Sequence, residues 1–294
     1  MKKYKDLLPN EVVDLREEIA LVSPTDTPLL TLLYAKGQVV GASDITVSWR
    51  ERELNGTRTN AQLEGAEAPE SVKSTRKMIS NICQILTRTT EVSGTLSALN
   101  PLGVGDEFAS ELADRLAEVK RDLEYFAING TKAEESGATP RQMNGLINLV
   151  NAENVVDATS GFTAESIESA LEKMWNRGVA SDNIVLFCNA GVKKKINAFI
   201  KADQFIKGVG SNEYGFQVDR IVTDFGECGI VLDRHMPTDQ ALIVDLDQVE
   251  LALLRQPHYE GLAKTGDYIK GQIIAEGSIK LLNTYAGAKV INIA

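Results

Sequence analysis

Few side chains in this sequence are of the types that carry out acid–base chemistry near neutral pH. The two histidines, His235 and His258, each lie close to a proline in a segment that is typical of a turn. Neither stands at a spacing that would recruit a carboxylate or a serine as a catalytic partner. We therefore predict that both are turn residues.

The three cysteines, Cys83, Cys188 and Cys228, are widely separated in the chain. Their spacing matches neither a Cys-x-x-Cys redox motif nor a zinc site, and lone thiols of this kind suit a reducing compartment. We predict small buried apolar groups at these positions. The sequence indicates no metal site and no cofactor.

Asp245 and Asp247 offer the best candidate for paired carboxylates. They alternate along a strand predicted from Ala241 to Leu254, so both would lie on one face, as in a catalytic pair or a cation site. No third oxygen donor stands in register, and two acids on a solvent face are far commoner. The prediction is that the chain is not an enzyme, and a metal-dependent site at Asp245 and Asp247 remains the alternative.

Composition and charge limit the classes of function. The 294 residues are 43% apolar and 24% charged, which is typical of a globular chain, and the net charge is −10. Such a charge argues against binding nucleic acid by neutralising phosphates, although enclosing nucleic acid remains possible. No run approaches the roughly 20 apolar residues that span a bilayer, and the first residues do not resemble a signal peptide.

Residues 41 to 95 are predicted to form a long two-stranded hairpin. In the first strand Ile45, Val47 and Trp49 share one face, and the return strand runs roughly from Ser71 to Thr90. Ten strand residues reach on the order of 33 Å. Because an isolated two-stranded ribbon is marginal in water, its stabilising contacts are expected from other copies of the chain.

A long helix is predicted directly after the hairpin, from about 106 to 129. Its apolar stripe recurs at steps of three and four residues, through Phe108, Leu112, Leu116, Val119, Leu123 and Phe126. Helix and strand then alternate: a helix capped by Thr163, a strand over 184–188, a helix over 192–200, and strands at 216–222, 229–233, 268–275 and 289–293. This rhythm indicates an α/β module.

Five segments together resemble the capsid family typified by phage SU-ten, among the major capsid proteins of tailed bacteriophages with the Hong Kong 97 fold. They are Ser23-Pro24-Thr25-Asp26-Thr27-Pro28-Leu29, Glu64-Gly65-Ala66-Glu67-Ala68-Pro69, Asn81-Ile82-Cys83-Gln84-Ile85, Arg141-Gln142-Met143-Asn144-Gly145-Leu146 and Ala263-Lys264-Thr265-Gly266-Asp267. The ordered set carries the resemblance, which extends over nearly the whole chain.

The resemblance implies an α+β, Hong Kong 97-like capsid fold. The implied parts are an N-terminal arm (1–40), an extended loop formed by the long hairpin (41–95), a peripheral domain (96–160 and 245–294) with a spine helix at about 106–129, and an α/β axial domain (161–244).

The function implied is that of a major capsid protein. It would self-assemble as hexamers and pentamers into an icosahedral shell that encloses a phage DNA genome without sequence-specific binding and without a membrane. A portal, a separate scaffolding protein and a possible decoration protein are the expected partners. The implied location is the virion, after assembly in the host cytoplasm. Candidates for contacts between subunits are Arg50, Arg52, Glu64, Glu67, Lys73 and Arg76.

Two alternatives share features with this interpretation. An encapsulin-like compartment has the same fold and holds protein cargo, and a tail or connector ring would be flat. Crosslinking between subunits through Lys73 or Lys77 is left open, because it requires an asparagine and a carboxylate from a neighbour.

Overall fold

The structure is a computed structural model that describes residues 25–56, 61–68, 70–71, 73–98, 107–179, 181–204 and 220–293. Most of the predicted N-terminal arm and the predicted strand start at Phe216 lie outside these residues. The chain divides into two compact units. One includes Leu86–Asp122 and Pro257–Ala275, and the other includes Thr27–Ile85, Leu123–Gln256 and Glu276–Ala294.

Among the described residues, the three longest helices lie near the positions that the sequence predicts, whereas the three helices of eight residues or fewer were not predicted. The helices are α1 (Pro28–Ala35), α2 (Gly94–Ala98), α3 (Glu107–Asn129), α4 (Leu146–Leu149), α5 (Ala164–Asn176) and α6 (Ala190–Gln204). The long helix is α3, and it occupies the range predicted from the stripe of Val119 and Leu123, both of which are buried. Within the described residues, no helix is long and apolar enough to cross a membrane.

The strands are β1 (Val39–Gly41), β2 (Thr46–Glu53), β3 (Thr75–Ile82), β4 (Gln84–Ser93), β5 (Val155–Asp157), β6 (Ile184–Cys188), β7 (Arg220–Thr223), β8 (Gly226–Leu232), β9 (Ala241–Asp245), β10 (Val249–Gly261), β11 (Tyr268–Leu281) and β12 (Gly287–Ile291). The predicted strand from Ala241 to Leu254 is two strands, because a 3₁₀ turn at Leu246–Gln248 separates β9 from β10.

The hairpin differs from its prediction in one respect. Its return strand is not continuous but consists of β3 and β4, which are interrupted at Cys83 and have different partners. Strand β3 pairs antiparallel with β2, whereas β4 joins a four-stranded sheet in the order β1-β10-β11-β4. The two-stranded arm is therefore limited to β2, β3 and the tip between them.

A six-stranded sheet in the order β5-β12-β9-β6-β8-β7 forms the α/β layer. It is mixed, since β6 is parallel to β8 and antiparallel to β9. Thr163 is the N-cap of helix α5, which buries Ile167, Leu171 and Met174. The sheet also includes β5 and β12, which lie outside the range 161–244 proposed for the axial domain.

A buried carboxylate holds the start of α1. The Glu124 carboxylate, from α3, accepts hydrogen bonds from the Leu29 and Leu30 amides at 2.7 and 2.9 Å. Pro28 at the first turn removes one donor that would otherwise need a partner. Glu124 is fully buried beside Asp233, and both the loss of solvation and the negative charge of Asp233 raise the pKa of Glu124, to about 8. This contact fixes α1 on α3.

Candidate assembly surface

The two faces of the β2–β3 hairpin differ in chemistry. On one face lie Val47, Trp49 and Ile79, which are half-buried, as the alternation of the first strand predicted. The other face is exposed and carries Arg50, Arg52, Arg76 and Met78. In register, Arg50 lies opposite Met78 and Arg52 opposite Arg76. The exposed face is therefore the basic one.

Asn81 anchors the base of the hairpin. Its side chain is fully buried and makes four hydrogen bonds with the backbone. The amide nitrogen donates to the Asn144 and Ile279 carbonyls at 2.9 and 2.7 Å, and the amide oxygen accepts from the Ile82 and Asn144 amides at 2.9 and 2.7 Å. Because both the donor and the acceptor side of the amide are used, an aliphatic residue cannot replace it without loss.

A buried carboxylate with two arginine partners lies beside this anchor. Glu276 is buried between Arg141, which it contacts directly, and Arg255, whose Nε lies 2.8 Å from a Glu276 oxygen. Arg141 also donates to the Cys83 carbonyl at 2.8 Å. Arg141 thus links Glu276 to the residue where the strand β3 ends and β4 begins.

Two of the five segments that carry the family resemblance contact each other at this point. Residues 81–85 and 141–146 are joined through Asn81 and Asn144, through Arg141 and Cys83, and through the Gln84 side chain and the Met143 amide at 3.2 Å. Sequence reasoning assigned no role to Asn81 or Arg141. The feature of the sequence that could have indicated Asn81 is a short polar side chain inside a run of strand-forming residues.

Farther along β2, two carboxylates contact the body of the subunit. Glu51 accepts from the Thr284 amide, and Glu53 lies 3.4 Å from Arg177. The Arg177 guanidinium stacks on the Tyr285 ring with its carbon 4.4 Å from the ring centroid. A cavity of about 570 Å³ lies between the hairpin and residues 282–285. These contacts are partly exposed, so each contributes little to the stability of the folded chain.

The six predicted contact residues are all exposed: Arg50, Arg52, Glu64, Glu67, Lys73 and Arg76. Three of them, Arg50, Arg52 and Arg76, come together on the basic face, whereas Glu64 and Glu67 lie in the tip and Lys73 precedes β3. Across the described residues, none of the six pairs with an opposite charge of its own chain. Whether they contact another subunit stays a prediction.

Asp245 and Asp247 are not a pair on one strand face. Strand β9 ends at Asp245, and Asp247 lies in the following 3₁₀ turn. Asp245 accepts from the Ser181 hydroxyl and the Asp247 amide, each at 3.0 Å, and so caps the turn. A hydrogen bond from Asn183, and then the charge of Lys36, lower the pKa of Asp247. Both acids have structural partners.

The remaining chemical candidates are also structural. Burial raises the pKa of Cys83 and Cys188 to about 11 and that of Cys228 to about 12, which disfavours the nucleophilic thiolate. His235 lies in a turn, as predicted, and its amide donates to Asp233 at 2.8 Å, whereas the prediction of a turn at His258 was wrong because this residue lies within β10. In the part of the chain that is described, no three His, Cys, Asp or Glu side chains are grouped to hold a metal ion.

Known proteins resemble this chain over nearly its full length. A model of the family "SU10 major capsid protein" matches residues 3–294. The major capsid protein of Escherichia phage Phieco32 is 23% identical, over 94% of this chain and 92% of that protein.

Solved structures show the same fold at low sequence identity. The capsid of cyanophage A-1(L) superposes with a TM-score of 0.69 at 13% identity, covering 97% of this chain and 98% of the other. The SrpI encapsulin complex of Synechococcus elongatus PCC 7942 superposes with a TM-score of 0.62 at 11% identity, covering 97% and 94%. With its α+β Hong Kong 97-like capsid fold, this chain belongs to the SU10 major capsid protein family.

Proposed function

We propose that the β2–β3 hairpin of this major capsid protein binds an adjacent subunit, and that these contacts hold together the icosahedral shell around the DNA genome of a tailed phage. The supporting observation is the exposure of the hairpin. Met78 on its outer face is 69% exposed, and Leu54 and Leu63 in its tip are 72% and 85% exposed. A neighbouring subunit that covers these side chains would remove their apolar surface from water, which favours association.

The energetic argument favours many weak contacts. An exposed ion pair contributes about 0 to 1 kcal/mol, which is too little to join two subunits alone. A closed shell repeats each contact at every subunit, and each subunit is held by several neighbours at once, so weak contacts sum. The anchor at Asn81 holds the hairpin on its own subunit while the tip remains available.

The assignment of parts to the shell is also our proposal. Residues 1–40 would form the N-terminal arm, 41–95 the extended loop, 96–160 and 245–294 the peripheral domain, and 161–244 the axial domain. The buried cores of β6, α5 and α6 suit a rigid module of this last kind. The subunits would form hexamers and pentamers.

Further partners follow from the same proposal. A portal and a separate scaffolding protein would act during assembly in the host cytoplasm, a decoration protein would bind the finished shell, and the DNA would be enclosed without sequence-specific contacts. The protein is a component of the phage virion. Because the family is one of structural capsid proteins, no catalytic role is proposed.

Shortening the hairpin tests the role of the tip. Glu53 pairs with Thr75 at the end of the ladder, so residues 54–74 can be replaced by Asn-Gly, which closes a two-residue hairpin turn. We expect a folded subunit with an unchanged circular dichroism spectrum and no shells by electron microscopy. Shells of normal size and yield would contradict the proposal.

A matched control separates the chemistry of the tip from its length. A variant in which residues 54–74 are replaced by 21 residues of Gly and Ser keeps the reach of the loop but removes its side chains. We expect this variant also to fail to form shells. If it assembles normally, the loop acts only as a spacer.

The likeness to the SrpI encapsulin makes a protein compartment the second candidate. A phage capsid and a protein compartment differ in what the particle encloses. Particles purified from infected cells should contain nuclease-protected DNA if the shell is a phage capsid. Particles that contain a single abundant protein and no DNA would favour the compartment.

A further inference from the structure

Three arginines share the exposed face of the hairpin. Arg50 and Arg52 are two positions apart on β2, so their side chains point to the same side, and Arg76 on β3 lies directly opposite Arg52. Met78, opposite Arg50, completes the surface. We call these four residues the basic face.

The basic face is unfavourable within a single copy. Like charges directly opposite each other on paired strands repel and destabilise the pair. Arg52 and Arg76 are such a pair, and neither has a carboxylate partner among the described residues of the chain. The neighbouring acids Glu51 and Glu53 belong to the opposite face, where they contact Thr284 and Arg177. An anionic partner would remove the repulsion.

One segment of the hairpin tip has the complementary chemistry, although Arg58 and Lys73 also belong to the loop between β2 and β3. Residues 61–68 carry Glu64 and Glu67 and no basic residue, and all eight are exposed. A turn is already formed there, because the Ala66 amide donates to the Leu63 carbonyl at 3.0 Å and Gly65 adopts a positive φ of 81°. The turn presents Glu64 beside the exposed apolar side chain of Leu63.

We propose that the basic face of one copy binds the acidic tip of a neighbouring copy, with Glu64 and Glu67 against the arginines and Leu63 against Met78. The proposal rests on the proposed role of the hairpin in joining subunits, and it names both sides of the contact. Opposite charge and exposed apolar groups match on the two surfaces. Both surfaces are exposed in the single chain, so the tip does not cover its own basic face.

Charge reversal tests each side. The face variant, Arg52→Glu with Arg76→Glu, keeps a like-charged cross-strand pair, so its folding stability should change little. The tip variant is Glu64→Arg with Glu67→Arg. Each alone should weaken association by about tenfold or more, because two attractive pairs become repulsive. The measurement is the yield of assembled particles by analytical ultracentrifugation.

Combining the variants separates contacts between copies from contacts within one. A chain with all four reversals should assemble again. A mixture of face variant and tip variant should also assemble in part, because each supplies the surface that the other lacks. The control variant is Lys120→Glu with Lys194→Glu, which makes the same change in charge at exposed positions of α3 and α6 and should assemble normally.

Three outcomes would overturn the inference. If the combined chain assembles and the mixture does not, the contact forms within one copy. If the face variant forms shells normally but encloses less DNA, the arginines bind phosphate. If neither reversal affects assembly while the Asn-Gly replacement of residues 54–74 abolishes it, the hairpin still joins subunits, but through other residues.

Discussion

Replacing Asp233 with asparagine should reduce the dependence of folding stability on pH. Asp233 is buried beside Glu124, and its negative charge adds to the effect of burial in raising the pKa of Glu124 to about 8. Asparagine removes that charge. Its side-chain oxygen can still accept from the His235 amide, and its nitrogen can donate to the Glu124 carboxylate.

The direction in which stability changes with pH follows from the number of protons that the folded and unfolded chains bind. The ordinary pKa of Glu124 is 4.5 and the folded value is about 8, so between these pH values the folded chain binds more protons than the unfolded chain. The free energy of unfolding therefore falls as pH rises from about 4.5 to about 8. At 1.36 kcal/mol per pH unit, the loss is at most about 5 kcal/mol. Burial is the larger cause of the raised pKa, so Asp233→Asn should lower the folded pKa of Glu124 and remove part of this loss.

The assay is urea denaturation of unassembled subunits between pH 5 and pH 9, followed by the fluorescence of Trp49 and Trp175. We expect the stability of Asp233→Asn to exceed that of the parent chain at pH 9 by more than it does at pH 5. Asp182→Asn, at an exposed carboxylate, is the control and should follow the parent curve. Parallel curves for Asp233→Asn and the parent would refute the reasoning.

Three further substitutions, one at the anchor of the hairpin and two beside it, are each measured by urea denaturation. Arg141→Ala should cost about 3 kcal/mol, since the buried Glu276 loses one of its two cations; a cost below about 1 kcal/mol would contradict this. Asn81→Ala should also cost about 3 kcal/mol and accelerate amide exchange at its backbone partners, because it leaves buried groups unpaired; unchanged exchange would count against the anchor. Gly145→Ala should cost about 2 kcal/mol or more, because its Cβ would lie 2.4 Å from the Ile128 carbonyl oxygen, and an unchanged midpoint would exclude that clash.

Local periodicity predicted the elements that depend on local sequence. The 3.6-residue stripe through Val119 and Leu123 predicted α3, and the alternation of Val47 and Trp49 predicted the inner face of β2. The interruption at Cys83 was not predictable in this way. Residues 75–93 have continuous strand propensity, and the change of partner depends on β11, nearly two hundred residues away.

The candidate surface was predictable only in part. The alternation of Arg50 and Arg52 places them on one face, but the position of Arg76 opposite Arg52 depends on a register that composition does not specify. Asn81 and Asn144 are 63 residues apart, and only the folded chain joins them. The expectation that Asp245 and Asp247 lie on one strand face was wrong, because β9 ends at Asp245, which caps the next turn.

The contacts that hold the hairpin on its own subunit are stronger at its base than at its far end. At the base, the four buried hydrogen bonds of Asn81 form a pivot that is costly to break. Toward the far end, the Arg177 and Glu53 side chains are largely exposed, so their ion pair is weak and opens easily. Over the eight residues of β2, roughly 27 Å, a rotation of about 10° at the pivot moves the end by roughly 5 Å. We therefore expect that the far end of the hairpin can shift against its own subunit while the contacts of Asn81 stay intact.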